Sequence, residues 1–372
     1  MRVIFTGGGT GGHVSPALAI AEIIKAHYPG CEVMFIGRKD GPENAPIKNA
    51  GYKLYTVDIS GLRRSLSIKN LIALFKIPFS IKTAGRYIDE FKPDLIIGTG
   101  GYVSYPALHC GIKKGIPTVI HESNAYPGLV TKVLGKRCNT VLLGMEAAKD
   151  GLKRGTNAIF VGNPVRREFY KISKSLARES LGISENEIYV ISFGGSGGAE
   201  KLNKVIANLM LDGYGKSIVH LHATGNKYYS SMIQEYPKLK RGKMRLVPFI
   251  NDMHLHLAAA DIAITRSGAM TVAELCASKT PSILIPSPNV AANHQFKNAE
   301  SLSKLGAAVT VTEESVNKER LKIEIEKLIA NKQLLRDMEK KLAALAAHRT
   351  DAAVIKAINE TLKQHKNNSA IQ

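Results

Sequence analysis

Short apolar runs rich in β-branched residues recur along the chain, separated by longer stretches with helical spacing. Val3–Thr6, Glu32–Ile36, Leu95–Gly98 and Thr118–His121 read as strands in the first half. Tyr189–Phe193, Ile218–His222, Leu246–Phe249, Ile262–Thr265 and Ser282–Ile285 read as strands in the second. Nearly continuous apolar strands alternating with helices predict parallel sheets covered on both faces. The pattern also repeats itself. Val3–Thr6 runs into Gly7-Gly8-Gly9-Thr10-Gly11-Gly12, and Tyr189–Phe193 runs into Gly194-Gly195-Ser196-Gly197-Gly198. Helices are expected after each turn, over Pro16–Ala26 and Lys201–Met210. The chain therefore reads as α/β, with two doubly wound domains that each open on a glycine-rich turn. Asn163-Pro164 marks the join, because a residue before proline resists the helical conformation. That division gives domains over 1–163 and 164–342. Ala353, Val354, Ala357, Ile358 and Leu362 form an apolar stripe on a helix over Ala352–Leu362. The stripe needs a surface, and a returning segment, 343–364, packed on the first domain supplies one.

Composition narrows the functional classes. A chain of 372 residues with 44% hydrophobic and 22% charged residues can bury two real cores, which excludes wholesale disorder. Lys and Arg outnumber Asp and Glu by 51 to 31, a net charge of +20. Such a surplus suits phosphates, nucleic acid or an anionic membrane. Residues 1–163 hold 21 basic and 11 acidic residues, half of the surplus, so there is no basic arm. With no nucleic-acid-binding motif either, no nucleic-acid partner is expected. Cys31, Cys110, Cys138 and Cys276 lack CxxC spacing and read as small buried hydrophobes of a reducing compartment. No run of 18 apolar residues occurs, and the chain opens directly on a strand pattern. A cytoplasmic protein with at most peripheral membrane contact is the expectation. Residues 61–86 supply a candidate surface: Arg63, Arg64, Lys69, Lys76, Lys82 and Arg86, no acidic residue, and Leu71, Ile72, Leu74, Phe75, Ile77 and Phe79 between them. The same stretch also fits a core helix with a solvated basic face.

Candidate chemistry gathers at the glycine turns. Where a parallel strand ends and a helix begins, unpaired amides and the helix dipole favour an anion. Gly7-x-Gly9-x-x-Gly12 matches the dinucleotide fingerprint, but the second strand ends in Gly37-Arg38-Lys39 rather than an acid. Arg38 keeps an NADP-dependent oxidoreductase open as an alternative, and a basic binding protein without chemistry is a third class. Two such turns suit a large ligand split between the domains better. In the second half, Arg266-Ser267-Gly268-Ala269-Met270-Thr271 leads into a helix, with Glu274 expected on its first turn. A carboxylate there can hold a ribose diol, or merely stabilise its own helix. The loop from Pro286 to Gln295 offers amides for sugar hydroxyls.

Six motifs in order carry a resemblance over nearly the whole chain. They are Gly7–His13, Gly98-Thr99-Gly100-Gly101-Tyr102-Val103-Ser104, His121-Glu122-Ser123-Asn124, Gly162-Asn163-Pro164-Val165-Arg166, Gly194-Gly195-Ser196, and Arg266–Thr271 with Glu274. The chain resembles the bacterial cell-wall glycosyltransferases of family 28, which move N-acetylglucosamine from UDP-N-acetylglucosamine onto lipid I to make lipid II. The resemblance implies a GT-B fold with a deep interdomain cleft and a peripheral enzyme on the cytoplasmic face of the inner membrane. It implies that Ser196, Ala269, Met270, Thr271 and Arg166 meet the diphosphate, Ile250 the uracil, Glu274 the ribose and Gln295 the sugar. Thr10, Gly11, Gly12 and Asn124 would face the transferred sugar, and Tyr102 would position the acceptor. His13 or Glu122 would take the acceptor's proton. No Asp-x-Asp pair occurs, so no metal site and no required cofactor are expected, a non-essential divalent cation aside. The family usually reads Gln where this chain has Ser123, and Gln or Arg where it has Gly197.

Overall fold

The computed structural model describes residues 1–9, 11–61, 68–195, 197–215, 217–290, 293–346 and 350–369. Contacts divide the chain into two units, Met1–Pro164 with Arg349–Gln372, and Val165–His348. The first holds seven parallel strands: β1 (Arg2–Thr6), β2 (Glu32–Arg38), β3 (Lys53–Val57), β4 (Leu95–Gly98), β5 (Thr118–Glu122), β6 (Thr140–Leu143) and β7 (Ala158–Phe160), in the order β3-β2-β1-β4-β5-β6-β7. Alternation along β1 explains its unbroken apolarity. Val3 and Phe5 pack with Ile20 and Ile24 on one face, while Ile4 packs with Ile88 and Leu108 on the other. The second unit holds six parallel strands: β8 (Ile188–Phe193), β9 (Ile218–Ala223), β10 (Met244–Val247), β11 (Ile262–Thr265), β12 (Ser282–Leu284) and β13 (Val309–Thr310), in the order β10-β9-β8-β11-β12-β13.

Strand order reverses between β1 and β4 in the first sheet and between β8 and β11 in the second. Open parallel sheets bind ligands beyond the strand carboxyl ends at this switch point. Pairing of Thr6 with Gly98 sets the first two glycine segments side by side, and pairing of Phe193 with Thr265 does the same for the 194–198 and 266–271 segments.

Several boundaries differ from the sequence expectation. The first helix begins at Gly11 and runs to His27, so Pro16 lies inside it and His13 sits on its first turn. Strand β10 stops at Val247 because Pro248 has no amide to continue the ladder. β3, β6, β7 and β13 were not anticipated. The helix Lys332–Ala346 keeps Met338 in the second unit's core, so the segment expected to turn back from 343 does so only beyond Ala346. Thr350–Ser369 then buries Val354, Ala357 and Ile358 in the first unit's core, where the hydroxyls of Thr361 and Thr140 lie 2.7 Å apart. Among the described residues no helix is long and apolar enough to cross a membrane.

Candidate active site

At the switch point of the first unit, two glycine segments interlock. The Thr99 hydroxyl donates to the His13 carbonyl at 2.7 Å, and His13 Nδ1 lies 3.1 Å from the Thr99 carbonyl. The imidazole rests on Gly100, where a β-carbon would come within 2.8 Å of Nδ1. In its neutral form the ring can bond that carbonyl only by donating from Nδ1, which puts the lone pair on Nε2. Thr10 lies outside the described residues; Gly11 and Gly12 open the helix beside His13.

Glu122 ends β5 buried and fully engaged. One carboxylate oxygen accepts from the Asn124 amide and side chain, both at 3.1 Å, and the other from the Gly128 amide at 2.8 Å and the Thr131 hydroxyl at 2.7 Å. Four donors on one carboxylate tie down the loop carrying Asn124 and fill its acceptor sites. His121 is wholly buried, and desolvation lowers its pKa to about 4. Ser123, buried as well, turns its hydroxyl to His121 Nδ1 at 3.3 Å. Tyr102 wedges its ring between Gly9 and Gly61, and its hydroxyl accepts from Arg38 at 3.1 Å.

The first turn departs from the expected anion site. The Gly9 amide already donates to Glu43 Oε2 at 3.1 Å, so a protein carboxylate stands where a phosphate would go. The Arg38 guanidinium is tied to Tyr102 and the Asp40 carbonyl, and Glu43 holds the Gly9 amide, which weakens the NADP alternative.

The second unit presents the other edge. Ser196 lies outside the described residues. Gly198, at φ +70°, packs its α-carbon so close to the Thr224 carbonyl that a β-carbon would come within 2.2 Å of that oxygen. A side chain at Gly197 would meet open space. The helix Ala269–Ser278 starts after Gly268, which has no side chain to cap it, and among the described residues none caps its first amides. Ala269 and Met270 are buried and Thr271 half-buried there. Glu274 stands sixth in this helix, on its second rather than its first turn. The dipole fades within one turn, so the helix-stabilising reading of Glu274 falls away. Burial pushes its carboxyl up to about 7, against the opposing pull of the Arg166 guanidinium. Among the described residues no hydrogen bond or ion pair holds that carboxylate. Arg166 is exposed, its guanidinium 5.5 Å from the Phe169 ring centre. Ile250 is buried in the loop after β10, and Gln295 accepts from the Ser287 amide at 2.9 Å through its side-chain oxygen. Each unit thus gathers its own candidates at one sheet edge.

Sequence reasoning missed Glu43 and gave Thr99 and Arg266 no role of their own within their motifs. Arg266 turns inward to Glu313 and the Ile285 carbonyl, pinning the 266–268 and 285–286 segments together. Among the described residues no group of three His, Cys, Asp or Glu side chains is placed to hold a metal ion.

Residues 3–143 match the glycosyltransferase family 28 N-terminal domain and residues 189–354 its C-terminal domain. The chain belongs to glycosyltransferase family 28. Two family members named "UDP-N-acetylglucosamine--N-acetylmuramyl-(pentapeptide) pyrophosphoryl-undecaprenol N-acetylglucosamine transferase" are similar to it along their whole lengths. That of Carboxydothermus hydrogenoformans is 38% identical over 99% of both chains, and that of Acetivibrio thermocellus 36% identical over 98% of this chain and 99% of its own. Among solved structures, Acinetobacter baumannii MurG superposes with a TM-score of 0.75 at 27% identity, covering 96% of this chain and 99% of its own.

Proposed function

We propose that this family 28 chain transfers N-acetylglucosamine from UDP-N-acetylglucosamine to the 4-hydroxyl of N-acetylmuramic acid in lipid I, with inversion, forming lipid II. The named relatives, similar over nearly the whole chain, support the acceptor. One observation carries the donor: Glu274, a carboxylate raised toward neutrality by burial and held by no partner, on a helix whose first amides are uncapped. A ribose diol supplies the two hydrogen bonds this carboxylate lacks, while the uncapped amides meet a diphosphate. Ile250 meets uracil through its backbone, Ser196 adds a diphosphate contact, and Gln295 meets the sugar hydroxyls. On the first unit, Thr10, Gly11, Gly12 and Asn124 meet the transferred sugar and Tyr102 the acceptor.

The reaction is a single in-line displacement. The 4-hydroxyl attacks C1 of N-acetylglucosamine, its proton passes to His13 Nε2, and the bond from C1 to the phosphate oxygen breaks. UDP leaves with the electron pair, and the amides of Ala269 to Thr271 with Arg166 meet the charge on its β-phosphate. His13 rather than Glu122 is the base, because four donors already occupy the Glu122 carboxylate. No cofactor is required, and any divalent cation is non-essential.

The acceptor's lipid calls for a peripheral site at the cytoplasmic face of the inner membrane. The helix Ile68–Phe91 buries Ala73, Ala84 and Ile88 and turns Phe75 and Phe79 outward, 74% and 73% exposed. Lys82 and Arg86 are exposed on the same helix, while Lys76 pairs with Asp58 at 2.8 Å. Exposed aromatic and basic side chains together suit an anionic lipid surface. Arg63 and Arg64 lie outside the described residues.

The test is transfer of radiolabelled sugar from UDP-N-acetylglucosamine to a lipid I analogue. The reading predicts label in the disaccharide product as the β-anomer. Label released as free sugar, or epimerised on UDP, contradicts it.

A further inference from the structure

Glu43 lies in the turn Gly41-Pro42-Glu43-Asn44, just before the short helix Asn44–Asn49, and is completely buried. At the helix N-cap position its side chain does not cap its own helix. It reaches back to the first glycine turn instead. Oε2 accepts from the Gly9 amide at 3.1 Å and Oε1 from the Arg38 amide at 2.8 Å. Among the described residues no Lys or Arg pairs with it, so backbone amides alone meet its charge. Those are the groups with which glycine-rich turns hold phosphate. Two glycines make the room. A β-carbon on Gly8 would lie 2.4 Å from Glu43 Cδ, and one on Gly41 equally close. Neither glycine has a positive φ, so their missing side chains serve space rather than conformation.

The opposite side of the same turn is held by the 98–101 segment. The Gly8 amide donates to the Gly100 carbonyl at 3.4 Å, and Thr99 exchanges contacts with His13. Gly8, Gly9 and His13 are therefore held between Glu43 and Thr99-Gly100. We propose that Glu43 is a positioning residue and the turn's internal anion, filling the phosphate's place so that the turn faces the uncharged sugar and acceptor hydroxyl. This rests on the transferase reading above. A phosphate brought to this turn would meet a carboxylate already bonded to its amide, which directs the donor's diphosphate to the other unit. The turn is also rigid before substrate arrives, as alignment of an attacking hydroxyl requires.

The test uses the full-length chain with Glu43 replaced by Ala, leaving a carboxylate-sized gap beside two orphaned amides. Turnover on UDP-N-acetylglucosamine and a lipid I analogue should fall about thirtyfold or more, with the donor KM and the UDP Kd within about twofold of wild type. Formate should restore turnover by about tenfold and neutral formamide should not, a response that a merely structural residue would not give. Inorganic phosphate should raise the melting temperature of Glu43→Ala by more than that of wild type, whose second-unit anion site is common to both, a readout independent of activity. Glu43→Gln keeps the volume but can accept only one of the two amides, so it should lose turnover and ignore formate; it stands in if the alanine variant does not fold. Wild-type turnover in either variant overturns the proposal, as does a loss in Glu43→Ala that formate leaves unrepaired. An inactive wild type would instead refute the transferase reading, while the phosphate melting shift still decides the role of Glu43.

Discussion

Replacing Glu274 by Gln should move stability and donor binding in opposite directions. Burial raises this carboxyl from 4.5 to about 7. A shift of roughly 2.5 units corresponds to about 3 kcal/mol of disfavoured charge, and discounting for partial exposure leaves about 1–3 kcal/mol. The sign follows from proton binding. Between pH 4.5 and about 7 the folded chain holds the proton and the unfolded chain does not, so the penalty is absent below 4.5 and complete above about 7. Glu274→Gln carries no such penalty. For a unit of this size, calorimetry near pH 8 should show its melting temperature raised by about 5 °C, with the difference vanishing toward acid. UDP binding should weaken about tenfold to a hundredfold, since a charged acceptor for two ribose hydroxyls is gone. Titration calorimetry measures that directly. A variant with an unchanged or lower melting temperature at pH 8 and wild-type UDP affinity would refute the reasoning. It would mean that the carboxylate is neither desolvated nor at the nucleotide.

Further consequences are equally specific. His13→Ala should lower turnover by about a hundredfold or more while UDP-N-acetylglucosamine affinity stays intact; wild-type turnover would remove His13 from the mechanism. Phe75→Ser with Phe79→Ser should weaken sedimentation with anionic vesicles by about tenfold, from lost apolar burial; binding that ignores both the change and the salt concentration would contradict docking by this helix. In the second unit, His220 and His222 are wholly buried around Ser192, each ring nitrogen pair bonded within a Tyr214–His220–Ser192–His222–Asn203 chain. Desolvation lowers His222 to about 3 and His220 also. The unfolded rings take protons near 6.5 while the folded ones resist, so stability present above that pH should be lost on acidification, by about 1.4 kcal/mol per pH unit and histidine. A double variant, His220→Asn with His222→Gln, should flatten the fall in melting temperature between pH 6 and 4, and an unchanged slope would refute this.

What could be read from the chain followed local signals. Strands β1 and β8 announce themselves because both their faces are buried, and the glycine turns after them because the backbone comes close to other atoms at positions such as Gly198. Glu274 was visible from its place after a strand and a Gly-containing turn, although its helix turn was misjudged by one. Glu43 was invisible for the opposite reason. The fingerprint looks for an acid at the end of β2, whereas this acid lies five residues past Arg38 and acts on Gly9, 34 positions away. Arg38 looked like a phosphate ligand until Tyr102, 64 residues on, claimed its guanidinium. The helix Ile68–Phe91 is apolar on more than one face, and only the packing of Ala73, Ala84 and Ile88 shows which face is left for Phe75 and Phe79. Likewise the preference proposed for His13 over Glu122 rests on hydrogen bonds to Thr99, Gly128 and Thr131, which no spacing rule encodes.

A crystal structure with UDP-N-acetylglucosamine bound tests the central claim most directly. The account predicts ribose hydroxyls on the Glu274 carboxylate, the diphosphate on the amides of Ala269 to Thr271 and uracil at Ile250. A diphosphate seated on Gly7–Gly12, with Glu43 displaced from the Gly9 amide, would contradict it.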